Sequence, residues 1–222
     1  MRRFTNLRRV CTALALGVLI PTVLSGADDP ASLRLTVLVY DYAGLTTETR
    51  LQAEQEATRI FDHSGIELVW QHCLPVDGPR ERLRDSCRAS SATITVLRLV
   101  KEFRFGKTLH ADVMGWTTGP FATISIRKAQ QLAHDRNGPL SQVLGHAIAH
   151  ELGHRLLPCQ IHSAVGIMRT HWDLKDWENL SHGWLLFTPE QSKALRHSVS
   201  LRQSVSEHAS SSMGQPVVYP PE

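Results

Sequence analysis

Residues 140–156 read LSQVLGHAIAHELGHRL, a segment in which apolar residues recur at the spacing of one helical face. Asn137-Gly138-Pro139 provides a turn with a proline near the first helical position, and Pro158 disfavours helical geometry at Leu157. The pattern therefore predicts a buried amphipathic helix of about 18 residues that ends just beyond His154.

The pentapeptide His150-Glu151-Leu152-Gly153-His154 lies within this helix. On a helix, residues i and i+4 lie one above the other, so His150 and His154 can bind one metal ion from the same face. Zinc accepts neutral imidazole nitrogens as ligands, and Glu151, about 100° around the helix, can reach a water at the metal. The segment predicts a zinc (Zn2+) site and, with it, a hydrolase.

The chain continues with His162 and then with Gly166-Ile167-Met168. Together these segments, over about residues 140–170, resemble the metzincin clan of zinc metallopeptidases, whose pattern is H-E-x-x-H-x-x-G-x-x-H followed by a methionine turn. The resemblance implies a general base at Glu151 and a turn methionine, Met168, beneath the metal without coordinating it. It also implies three zinc ligands, namely His150, His154 and His162.

The chain departs from the clan pattern in the turn after the helix. The interval from His154 to His162 is two residues longer, and Leu157 stands where the clan has a helix-ending glycine. Residues 169–171 contain no tyrosine, so no tyrosine ligand is predicted.

Other residues near the motif are alternative partners for the metal. His146 lies one turn before His150, but three ligands on successive turns span about 12 Å, so a core or supporting role is favoured. Cys159 could bind zinc, and together with His162 it would close the site and make it structural. Glu178 would be the ligand in zincins that use a downstream glutamate, and the nearby methionine turn argues against it.

The first 27 residues are typical of a secretory signal peptide. Four arginines precede an apolar run from Val10 to Leu24, and Ser25-Gly26-Ala27 offers small residues at a cleavage site. The run is about 15 residues long and Pro21 interrupts it, whereas a spanning helix needs about 20. We therefore expect an exported protein, secreted or periplasmic, with no stable membrane association after signal cleavage.

Charge excludes one class of partner. Loss of the four signal-peptide arginines lowers Lys+Arg from 24 to 20 while Asp+Glu stays at 21, so the formal net charge changes from +3 to −1. No basic stripe with interleaved aromatic residues remains, and nucleic acid is not a predicted partner. The predicted partner is a peptide or protein substrate.

The cysteines predict one cross-link. Cys73 and Cys87 bracket a segment rich in proline and charge that is typical of a long loop, and export permits disulfides. A Cys73–Cys87 bridge closing this loop would contribute about 3 kcal/mol in the chain-entropy model.

The remaining pattern predicts a single α+β domain over residues 28–203. Strands are expected at 33–40, 67–71, 94–100 and 121–126, with a helix at 46–61, and the order resembles the amino-terminal half of metzincins. This corresponds to a zincin-like fold with a mixed twisted sheet backed by helices, an active-site helix and a small, mainly helical C-terminal part. The segment Gly115 to Ile126 is the candidate substrate-binding edge, although it could equally be a covered edge.

The C-terminal part is predicted to contain one further helix. Thr188-Pro189 and Gln191 form a capping signal for a helix that ends at about Arg202, and residues 204–222 are predicted to be a disordered tail. Three tryptophans lie before this helix, namely Trp172, Trp177 and Trp184. They are expected to fill a small core rather than to line a pocket, although one aromatic at the cleft would also fit.

These observations predict a secreted zinc metalloendopeptidase that hydrolyses peptide bonds through a zinc-activated water, with Glu151 as general base. The alternative is a secreted zinc-stabilised binding module whose metal site is closed and not catalytic.

Overall fold

The computed structural model describes residues 32–73, 87, 92–103, 113–158 and 162–212, with side chains as far as 208. The predicted signal peptide and Cys159 lie outside these residues. Within the described ranges, none of the helices is both long enough and apolar enough to cross a membrane.

Five strands form one mixed sheet. They are β1 (Arg34–Asp41), β2 (Glu67–Cys73), β3 (Ile94–Val100), β4 (Gly115–Thr118) and β5 (Phe121–Ser125). Their order across the sheet is β2-β1-β3-β5-β4. Neighbouring strands are parallel except for β4, which runs antiparallel to β5 and ends the sheet. Strand β4 is therefore an edge strand, and it contacts the later helix that carries residues 140–156.

The described helices are α1 (Thr47–Asp62), α2 (Ile126–Asp135), α3 (Leu140–Leu156), α4 (Leu174–Ser181) and α5 (Pro189–Ser212). Thr46 caps α1 with its side chain, as its position before the helix predicts. Thr188 and Gln191 exchange hydrogen bonds of 2.9 and 3.2 Å at the start of α5, which confirms the predicted capping signal there. The α+β fold class predicted from the sequence is confirmed.

The main core lies between the sheet and the helices α1 and α3. The central strand β1 is apolar along most of its length because it is covered on both faces: Leu35, Val37 and Val39 belong to the main core, and Leu38 to a smaller cluster behind the sheet. Helices α1 and α3 approach closely at Gly145, where an added Cβ would lie 2.8 Å from the Ala53 carbonyl oxygen. This packing fixes the position of α3 relative to the sheet.

The predicted disulfide between Cys73 and Cys87 is present. It connects the end of β2 to the segment before β3, and the Tyr40 hydroxyl donates a hydrogen bond of 3.2 Å to the Cys87 carbonyl oxygen. The bridge therefore fixes the chain on the face of the sheet opposite the main core.

The structure differs from the prediction in three places. Helices α2 and α4 were not anticipated, although buried Ile126, Ala129 and Ala133 recur at helical spacing along α2. Helix α5 continues to Ser212 instead of ending near Arg202, so the first nine residues of the predicted disordered tail are helical. The side chain of Arg202 and that of Gln203 bond to carbonyl oxygens elsewhere in the domain, which ties this part of α5 to the fold.

A candidate metal centre on helix α3

Three histidine side chains converge at the end of α3. The Nε2 atom of His154 lies 3.0 Å from Nε2 of His150 and 3.3 Å from Nε2 of His162. All three ligand atoms lie within 4.8 Å of one another, and they form the one such group within the described ranges. The structure therefore brings together the three residues that the sequence predicted as zinc ligands.

The group fits a zinc ion by distance and by donor chemistry. Zinc–nitrogen bonds of 2.0–2.1 Å in a tetrahedral site separate neighbouring nitrogens by about 3.3 Å, close to the distances observed. His150 Nδ1 lies 2.8 Å from the Ile167 carbonyl oxygen and donates to it, so its Nε2 lone pair faces the other histidines. The Nδ1 atom of His154 is buried and has no hydrogen-bond partner among the described residues, so Nε2 is the nitrogen that faces the other two histidines.

Burial keeps these imidazoles in the neutral form that binds a metal. The pKa of His150 is lowered to about 4, chiefly by desolvation; the hydrogen bond to Ile167 opposes the shift, and repulsion from the His154 and His162 imidazoles when they are protonated adds to it. Desolvation, followed by the charge of His162, lowers the pKa of His154 to about 4. The pKa of His162 is also lowered, first by desolvation and then by the charge of His171. At neutral pH the group therefore offers three lone pairs.

Strand β4 holds the carboxylate of Glu151 beside the histidines. The side chain is only 6% exposed, and the Thr117 hydroxyl donates a hydrogen bond of 2.6 Å to its Oε2 atom. A Cβ at Gly115 would overlap the same carboxylate, so glycine is required for this close approach. Desolvation raises the pKa of Glu151 to about 7, although the Thr117 hydrogen bond opposes the shift.

The segment after His162 forms the predicted methionine turn. Gly166 has a φ of 75°, and the Arg169 amide donates to the Gly166 carbonyl oxygen at 3.2 Å, which closes the turn. Met168 is fully buried. It packs closely against α3 at Gly153, where an added Cβ would lie 2.7 Å from the Met168 Sδ atom. The turn thus packs against the helix between the two histidines of the pentapeptide, and its Ile167 carbonyl orients His150.

A cleft of about 730 Å³ opens onto the histidines and Glu151. Its walls come from β4, α2, α3 and the segment after the methionine turn. Trp172 and Trp177 pack against the main core, as expected, but both also line the cleft, whereas Trp184 is 67% exposed. Trp172 is fixed because its indole Nε1 donates to the Ile167 carbonyl oxygen at 3.1 Å.

The other candidate ligands lie apart from the histidine group. His146 is fully buried, and its Nδ1 atom lies 2.9 Å from the Gln142 carbonyl oxygen, consistent with the predicted core histidine. Glu178 lies on the exposed face of α4. Asp173 and Asp176 form the capping box of α4 and both bind Arg169, so neither orients a histidine.

Sequence patterns had not singled out Gly115, Thr117 or the Ile167 carbonyl. No local signal identifies Thr117 or a backbone carbonyl, because their roles arise only when β4 and the methionine turn meet α3. Gly153 did carry a signal, since a glycine inside a helix costs about 1 kcal/mol relative to alanine and indicates a close packing contact.

No protein-family model and no curated protein matches the sequence. Eighteen chains among solved structures match the fold. An archaemetzincin from Methanopyrus kandleri is 15% identical with a TM-score of 0.44, over 78% of this chain and 99% of that one. Metalloproteinase-II from Bacteroides fragilis is 12% identical with a TM-score of 0.47, over 76% of this chain and 54% of its own. At these identities and scores, the likeness concerns the chain trace alone.

Proposed function

We propose that the protein is a zinc-dependent metallopeptidase that is exported by a signal peptide at residues 1–27. The observation that carries the proposal is the convergence of three neutral imidazoles beside a buried carboxylate at the floor of an open cleft. Neutral nitrogen ligands leave the full charge of a divalent ion available for catalysis.

Each residue of the group has a role in this proposal. His150, His154 and His162 hold the zinc ion, which when bound lowers the pKa of a water and polarises the scissile carbonyl. Glu151 accepts a proton from the attacking water and transfers it to the nitrogen of the leaving amine. Thr117 holds Glu151 Oε2 by a hydrogen bond, so the carboxylate is oriented before the substrate binds.

The edge of the sheet supports a peptide as the substrate. Strand β4 ends the sheet, and Gly115 and Thr117 of this strand contact Glu151. An extended peptide that adds to the edge by main-chain hydrogen bonds would therefore lie across the histidine group. Trp172 and Trp177 provide an apolar wall for a substrate side chain. If an extended chain binds in this way, the open cleft would favour an endopeptidase.

The test compares the parent chain with Glu151→Gln and with a matched control, Glu178→Gln, in which an exposed carboxylate on α4 is changed. We expect one zinc per chain in all three proteins. Cleavage of an unfolded protein substrate should fall by about 100-fold or more in Glu151→Gln alone, because removal of a general base costs 10²- to 10⁴-fold.

The outcomes separate the proposal from its alternatives. Cleavage at the parental rate by Glu151→Gln would refute the role of Glu151. One zinc per chain without cleavage by any of the proteins would favour the secreted zinc-stabilised binding module. Absence of zinc would refute the metal site itself.

A further inference from the structure

A second cavity of about 540 Å³ is also lined by His154. Its walls are the end of α3 with residues 155–158, the turn after β4, and one face of α5. Thr117 and His154 line both this cavity and the cleft described above. A group bound here would therefore adjoin the candidate metal centre.

Two arginines line this cavity, and neither has a carboxylate partner among the described residues. The Arg155 guanidinium makes no hydrogen bond or ion pair with the described part of the chain, and its Nε atom is buried. Burial lowers the pKa of its guanidinium, which nevertheless stays charged in proteins. A partly buried charge without a protein partner is costly, so an anion bound in this cavity would meet a cation that no described carboxylate neutralises.

Arg202 contributes a second positive charge to the lining of the same cavity. Its Nε atom donates to Ser198 Oγ at 3.3 Å, and its two terminal nitrogens donate to the carbonyl oxygens of Ala92 and Arg155 at 3.3 and 3.1 Å. These acceptors are neutral, so they position the guanidinium group but do not neutralise its positive charge. Burial, and then the charge of Arg155, lower the pKa of Arg202.

The rest of the lining suits an anion with a short aliphatic stem. His197 and Ser198 of α5 add polar groups, Leu156 and Leu157 add apolar surface, and no acidic residue is among the described lining. Arginine recognises carboxylates through paired hydrogen bonds, which gives both strength and orientation.

We propose that this cavity is a subsite for a carboxylate group of the peptide substrate. The inference rests on the proposed function in one respect: the carboxylate is assigned to a peptide because the protein is proposed to be a peptidase. Strand β4 runs from Gly115 beside Glu151 toward Gly119 at this cavity. A peptide paired antiparallel with β4, the more stable pairing, would place residues on the amino side of the cleaved bond here. The subsite therefore selects an aspartate or glutamate side chain on that side.

Binding without turnover tests the subsite independently of catalysis. The full chain carrying Glu151→Gln is titrated with N-acetylated, C-amidated alanine-based hexapeptides that contain a single glutamate at successive positions, and with the matching glutamine peptides. We expect one glutamate position to bind about tenfold more tightly than its glutamine partner, as charge-assisted hydrogen bonds predict.

Three further variants in the same background identify the residue responsible. Arg155→Gln should abolish the glutamate preference, and it breaks no described contact, so the fold should be retained. Arg155→Lys should keep a reduced preference because the charge remains. Arg127→Gln is the matched control, because this arginine is exposed on α2 and pairs with Glu102 away from the cavity.

Equal binding of the glutamate and glutamine peptides would overturn the proposal, as would a preference that survives Arg155→Gln. A third series, the glutamine peptides with a free C-terminal carboxylate, is titrated alongside. Tighter binding of that series alone, lost in Arg155→Gln, would overturn the side-chain preference and assign the subsite to a chain terminus. These results do not depend on cleavage. Failure to find zinc or turnover would therefore refute the proposed function and leave the subsite to be decided by binding.

Discussion

The change Gly153→Ala tests whether the methionine turn supports the metal centre by direct packing against α3. An alanine Cβ at this position would lie 2.7 Å from Met168 Sδ and 2.9 Å from Phe187 Cε1. Carbon contacts are optimal at about 3.5–4.0 Å, so both neighbours must move by several tenths of an ångström or more. Both are buried, and Phe187 packs edge-on against Phe61, which restricts the space available.

The magnitude follows from two opposing effects. Overpacking a buried site by one methyl group costs about 1–3 kcal/mol. Replacing glycine by alanine inside a helix contributes about 0.8–1 kcal/mol in the opposite direction. We therefore expect a net loss of about 1 kcal/mol in the free energy of unfolding, together with weaker zinc binding, because a displaced turn moves the Ile167 carbonyl that orients His150.

Urea unfolding of the metal-free chain measures the stability change, and competition with a chelator measures zinc affinity. Gly138→Ala is the matched control, because nothing lies within 4 Å of an added Cβ there. It should change stability by less than about 0.5 kcal/mol. If Gly153→Ala stabilised the chain by the full helix-propensity difference and left zinc affinity unchanged, the close packing of Met168 on α3 would be refuted.

Three further changes give distinct expectations. Thr117→Val removes the hydrogen bond to the proposed base, so turnover should fall by about tenfold while zinc content stays at the parental level; unchanged turnover would contradict a positioning role. His162→Ala should weaken zinc binding by at least about 100-fold in chelator competition, since it removes one ligand, whereas His171→Ala, which leaves the group intact, should not. Replacing Cys73 and Cys87 by serine should lower the free energy of unfolding by about 3 kcal/mol in urea, and a loss near zero would show that the loop is constrained without the bridge.

The elements with strong local periodicity were predictable. The strand at 94–100 coincides with β3, and the helices α1 and α3 begin within one residue of their predicted starts. Capping residues fixed the beginning of α1 and α5, since their side chains bond amides only three residues away. The helices α2 and α4 are short and carry fewer apolar residues, so their pattern was weaker than that of α3.

Helical geometry related only the site residues that share one element, whereas His162 and Met168 were predicted from the resemblance to the metzincin pattern. His150, Glu151 and His154 lie on one helix, so helical geometry alone relates them. The predicted core packing is observed for Trp172 and Trp177, but their place in the wall of the cleft could not be predicted, because apolar character alone does not distinguish a core from a pocket wall.

The sequence by itself determined the helix with its two histidines four residues apart, the capped helix starts, the methionine-turn tripeptide and the pair of bridged cysteines. These features depend on interactions within a few residues or on a covalent bond. Only the tertiary structure decided that His162 joins the group, that Thr117 holds Glu151, and that Arg155 and Arg202 face one cavity. The reason is that these contacts connect separate elements, and their distances depend on how α3, β4 and α5 pack rather than on any spacing along the chain.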